Sequence, residues 1–176
     1  EAGADIEAQS STKLTPLMFA IRAGTIETTM TLLDLGANLK SPGADGTTML
    51  GLAIINAHWE LATNLLDRGA DANTSDPRGR PLHLVALMRR AQNRGLSSWL
   101  PRKATGELDS LDFAKALLAR GADINFRLDY TNPNYNPDHI ALGRPGTTYV
   151  GATPLYIAAK NCDVESLRFL VANAAD

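Results

Sequence analysis

A single cysteine, Cys162, stands in a chain of 176 residues, so no internal disulfide framework holds it together. That favours a reducing compartment only weakly, because exported proteins can also lack disulfides. Histidine occurs three times, and His58, His83 and His139 share no helical face. Cys162 lies at no ligand spacing from them, which argues against a structural metal site. No apolar run approaches the roughly 18 residues that a membrane helix needs, and no secretory pattern opens the chain. The chain begins at Glu1, within a repeating pattern, and so reads as a fragment whose missing leader says nothing about destination. A net charge of −2 points by itself to neither nucleic acid nor a membrane. Asp138-His139 is an acid–base pair without a serine, a cysteine or a phosphate-cradling glycine loop beside it, and reads as a polar pair in a loop. No catalytic residue, cofactor or metal is expected.

What is present is a period. Gly3, Gly36 and Gly69 follow one another at intervals of 33 residues, and so do Thr15 and Thr48. Two independent landmarks with one spacing mark a solenoid. Each unit opens on a capping position, Thr15 followed by Pro16 in the first. Leu17, Ala20 and Ile21 then recur at helical spacing, Gly24 ends a short helix, and Ile26, Met30 and Leu33 form the stripe of a second one. Neither helix is long enough to be stable alone, so stability must come from stacking. Leu17 and Met30 at one end, and Leu155, Leu167 and Leu170 at the other, are expected to face outward and uncovered.

The run Ala152-Thr153-Pro154-Leu155-Tyr156-Ile157-Ala158-Ala159 and the endings Gly69-Ala70-Asp71 and Gly121-Ala122-Asp123 resemble ankyrin repeats over nearly the whole chain. The resemblance implies an all-α, ankyrin-repeat solenoid of about four helix-turn-helix repeats with two inserted loops. The expected division is a single domain. It comprises a tail of a preceding repeat (1–14), repeats at 15–47 and 48–79, an interrupted repeat at 80–152, and a last one at 153–176. The Lys160-Asn161-Cys162-Asp163 break resembles bacterial multi-repeat ankyrins more than animal scaffolds. His83 matches the family's histidine that bonds a preceding threonine, but Arg80 stands in that threonine's place. Met18, Gly51 and Tyr156 replace it elsewhere, which predicts weaker polar pinning of the turns.

The interruptions are measured by the spacings. Arg80 to Gly121 takes 41 residues where Thr15 to Gly36 takes 21, which places an insertion near 89–108. Gly121 to Thr153 takes 32 where Gly36 to Thr48 takes 12, which places another near 127–151. The first carries five basic residues and one acid around Trp99. It reads either as a solvated loop neutralising acidic neighbours, the favoured sense, or as a phosphate contact with an aromatic stack. The second holds Tyr130, Tyr135 and Tyr149 among Asn-Pro and Pro-Asp steps. It reads either as an adaptable binding loop or as an ordered flap.

Ankyrin arrays generally bind proteins through their turn tips and the exposed side of the first helices. Carried over, that nominates Asp45 and Arg78 on the turns, and Arg22, Ile55, Asn56, Leu87, Met88, Lys160 and Asn161 on the helices, together with Trp99, Tyr130, Tyr135 and Tyr149 in the insertions. Ile55, Leu87 and Met88 are apolar where the pattern predicts solvent. Either an insertion covers them, the favoured reading, or they form the hydrophobic centre of a partner site. The resemblance thus implies a non-catalytic protein-interaction module with a protein partner, and no nucleic acid or membrane. The alternative is a structural segment of a larger array, stacking on further repeats or other copies, head to tail, into an assembly or filament.

Overall fold

Each unit starts where a threonine turns the chain into a helix. Thr15, Thr48 and Thr153 are extended, and each Oγ1 accepts the N–H three residues on, from Met18 at 3.3 Å, Gly51 at 3.0 Å and Tyr156 at 3.2 Å. That satisfies one donor which a helix start otherwise leaves open. The computed structural model describes residues 3–93, 106–128 and 151–175, with the side chains of 90–93 left out. Among the described residues the helices are α1 (Pro16–Ala23), α2 (Ile26–Asp34), α3 (Met49–Ile55), α4 (Trp59–Asp67), α5 (Pro81–Asn93), α6 (Ser110–Ala119), α7 (Pro154–Lys160) and α8 (Val164–Ala172).

They pack as four pairs, α1 with α2 through α7 with α8. The first helices form a continuous row, α1 on α3, α3 on α5 and α5 on α7, while α4 on α6 is the main contact in the second row. The core runs through this row and culminates in the second and third pairs. There Trp59 and Phe113 lie 5.8 Å apart between ring centroids, among the fully buried Leu61, Leu65, Leu84 and Leu117. The fold is therefore all-α and of the expected helix-pair type.

Ile26, Met30, Leu32 and Leu33 pack half-buried against the core as the apolar stripe of α2, which also buries Thr29. Two other expectations need correction. Leu17 and Leu170, expected to face outward at the two ends, are 1% and 4% exposed. The residues left open are Phe19 and Leu35 in the first pair, and Tyr156, Val164 and Val171 in the last. A stripe fixes which side of a helix is apolar, but the neighbour's position decides which edge of the stripe is covered. Finally, α5 continues to Asn93, so the first residues assigned to the insertion are helical.

The turns are pinned more firmly than the missing histidines suggested. Gly51 leaves open the space that the Asp76 carboxylate occupies; a Cβ there would sit 2.2 Å from Asp76 Oδ2. Asp76 Oδ2 accepts from the Thr48 N–H at 3.0 Å, so a carboxylate from the following turn does the pinning. Asparagines join successive turns as well. Asn73 accepts from the Asp123 N–H at 2.8 Å and donates to the Gly121 carbonyl at 2.8 Å, and Asn125 donates to the Ala174 carbonyl at 3.3 Å.

Candidate interaction surface

The turns and the row of first helices make the surface that the sequence nominated. Asp45 and Arg78, 33 residues apart, are brought together on adjacent turns. Arg78 donates to Asp76 through Nε at 2.7 Å and NH2 at 2.9 Å, and its NH2 also reaches Thr47 Oγ1 at 3.2 Å. Thr47 in turn donates to both oxygens of Asp45, at 3.0 and 2.9 Å. Burial raises the Asp45 carboxyl pKa, but the Thr47 donors and nearby Arg78 outweigh it and hold the group below the usual range. This network ties Arg78 into the fold and leaves Asp45 as its exposed end.

On the first helices the nominated residues divide. Arg22 is exposed, and its carbonyl lies 3.2 Å from His58 Nε2 of the next unit. Ile55, Asn56 and Lys160 are half-buried, and Asn56 donates to the Leu52 carbonyl at 2.8 Å. Leu87 and Met88 are 5% and 6% exposed, so they do not present an open hydrophobic centre. Every residue of α5 from Pro81 to Met88 is buried, because α3, α6 and α7 all pack on this helix. Asn161 is buried too, with its Nδ2 donating 3.0 Å to the Ala86 carbonyl. It joins α5 to the last pair. Trp99, Tyr130, Tyr135, Tyr149 and the pair Asp138-His139 lie outside the described residues. A cleft of about 290 Å³ opens between the first two turns, beside Lys13, Thr15 and Ser41, and none of the nominated residues lines it.

Sequence reasoning missed Arg89, which it counted among loop cations. Its Nε donates to Asp163 Oδ2 at 2.5 Å, its NH1 to Ser110 Oγ at 2.7 Å and its NH2 to Glu165 at 2.8 Å. Arg89 and Asp163 are 12% and 4% exposed at their side chains. Burial works against both charges, yet the hydrogen bonds between them prevail. The Asp163 carboxyl is held below its usual pKa and the Arg89 guanidinium above its own. Asp163 also caps α8 by accepting from the Ser166 N–H at 3.1 Å. The other end of the same insertion is held by Glu60, which accepts from the Glu107 N–H at 2.7 Å. The signal for Arg89 lay in the helical period, since it follows α5 without a break. Among the described residues no three His, Cys, Asp or Glu side chains converge as a metal site, and no helix is long and apolar enough to cross a membrane.

A family model for ankyrin repeats, three copies, matches residues 2–76, and one for a single ankyrin repeat matches residues 150–176. The stretch between the two matches contains the third pair, which the first insertion interrupts, and most of the second insertion, which follows that pair. Ankyrin repeats are generally protein–protein interaction modules and typically non-catalytic. With four stacked helix pairs, threonine-capped first helices and matches over more than half its length, the chain belongs to the ankyrin repeat family.

Proposed function

We propose that the protein is a non-catalytic scaffold that holds a protein partner along its turns and first helices, with the two insertions flanking the contact. The observation that carries this reading is the position of the insertion roots at opposite ends of α5. The helix starts at Pro81 beside the second root and ends at Asn93 beside the first. Thirteen residues at about 1.5 Å each separate the roots by roughly 20 Å, a span that suits a peptide or a helix of a partner. Arg22, Asp45, Arg78, Ile55, Asn56 and Lys160 extend that surface along the row, and Trp99, Tyr130, Tyr135 and Tyr149 supply aromatic contacts from the insertions. Leu87, Met88 and Asn161 support it from beneath.

Affinity capture with the intact chain, and with residues 94–105 or 129–150 replaced by short Gly-Ser linkers, tests this reading. Loss of the same captured protein in each variant supports it. A partner retained equally by both variants and by W99A and Y135A would count against it.

A second reading, end-to-end stacking, is supported by Phe19. It is 48% exposed, whereas Leu52, Leu84 and Ile157, four residues after their own unit's opening position, are 8%, 1% and 0% exposed beneath a preceding helix pair. In this reading the first pair meets another helix pair of the same kind. Light scattering across a concentration series decides it: stacking predicts a rising mass that Phe19→Lys abolishes, and a constant monomer mass removes the idea.

A further inference from the structure

The second insertion leaves and rejoins the fold through a closed neck. The Leu128 N–H donates to the Ala152 carbonyl at 3.0 Å, and the Gly151 N–H donates to the Leu128 carbonyl at 2.7 Å. His83, which is 0% exposed, reaches both sides of this neck with one atom. Its Nε2 lies 3.1 Å from the Phe126 carbonyl and 3.2 Å from the Ala152 carbonyl. Two acceptors fix the proton on Nε2, so Nδ1 keeps a lone pair. Among the described residues, Nδ1 is buried without a hydrogen-bond partner. Arg80 stacks its guanidinium carbon 3.3 Å from the centroid of the Phe126 ring, whose plane stands edge-on to the His83 ring.

We propose that His83 is an acid-sensitive clasp: neutral, it holds both sides of the second insertion's root together, and protonation releases them. A second proton must go to Nδ1. It would create a buried donor with no acceptor and place a positive charge near the Arg80 guanidinium. Asp123, on the approach to the neck, favours the charge but is outweighed. Burial, with the Arg80 charge, pushes the His83 pKa from 6.5 down to about 4, against the two carbonyls and Asp123. Of the helices packed on α5, α3 carries no ionisable side chain, α6 carries Asp112 and Lys115, and α7 carries Tyr156 and Lys160.

The direction follows from linkage. In the open neck His83 regains an ordinary pKa near 6.5, so the closed form keeps its full advantage above that pH. The advantage is lost as pH falls from 6.5 towards 4, because the open form alone takes up the proton. Opening therefore grows about tenfold for each pH unit in this window.

Amide hydrogen exchange on the full chain between pH 7 and pH 5 tests the clasp, with rates corrected for intrinsic pH dependence. Protection at Leu128 and Gly151 is expected to fall by about tenfold per unit below pH 6.5. The Ala70 N–H, bonded to the Leu65 carbonyl, serves as a reference that stays constant. H83Q keeps a donor for the carbonyls and removes the titration, so its neck protection should not change with pH. Neck protection that stays flat in the parent chain, or an equal slope in H83Q, overturns the proposal. In the parent chain, an NMR titration of the His83 ring should show a neutral Nε2–H form at pH 6; a midpoint near 6.5 also overturns it.

Discussion

The two insertions are rooted by different physics. The first is held by charged side chains at both ends, Arg89 reaching out to Asp163 and Glu165 of the fourth pair, and Glu60 of the second pair reaching in to accept from the Glu107 backbone N–H. The second is held by its own backbone and a neutral histidine, with Leu128 sealed at 3% exposure. An ionic root couples neighbouring pairs, so damage there should spread along the stack. A root closed on itself confines damage to the turn. The comparison shows how one solenoid carries one insertion as a cross-brace and another as a self-contained excursion.

The largest expected effect comes from breaking the ionic root. Asp163→Ala removes the α8 cap and the buried carboxylate partner of Arg89, leaving the guanidinium to Ser110 and Glu165, and should destabilise the fold by about 3 kcal/mol in urea melts. In a double-mutant cycle with Arg89→Ala, a clear coupling energy is expected; additive losses would show that the pair is not the brace. Next comes His83→Ala, which takes the ring donor from the Phe126 carbonyl and leaves the Ala152 carbonyl with the Leu128 N–H alone. It should cost about 2 kcal/mol, with exchange rising at Leu128 and Gly151 and little change in α8.

Cys162→Gly should act in the other direction. Cys162 is exposed and holds a φ of 56°, a conformation that glycine adopts freely, so the variant should gain about 1 kcal/mol. A loss would mean that the Cys162 side chain matters to the adjoining Asp163 cap. The smallest effect is expected for Glu60→Ala, which removes one partly exposed acceptor and should cost less than about 1 kcal/mol. If it matched Asp163→Ala, the two ends of the first root would be equally important and the cross-brace would run through three pairs.

Much of this organisation was legible in the chain itself. Thr15, Thr48 and Thr153 cap helices as their spacing implied, because capping depends on residues only three apart. The nominated surface was less legible. Asp45 and Arg78 do meet on adjacent turns, but Leu87, Met88 and Asn161 are buried and Arg89 is a strut. Their exposure depends on what packs against α5 from the next unit, and no local pattern records that. Leu17 and Phe19 differ by two positions on one helix, and only the neighbouring pairs distinguish the buried one from the exposed one.

The amino-acid sequence by itself determined the helix pairs, their period and the places where the period is broken, since caps, glycines and apolar spacing act over a few residues. The tertiary structure alone decided that Asp76 replaces a missing histidine, that His83 spans the neck of the second insertion, and that Arg89 crosses to the last pair. Each of these joins groups at least 28 residues apart. Their partners are chosen by the stacking of whole units, and a charge or a ring nitrogen is committed only once that stacking brings an acceptor within reach.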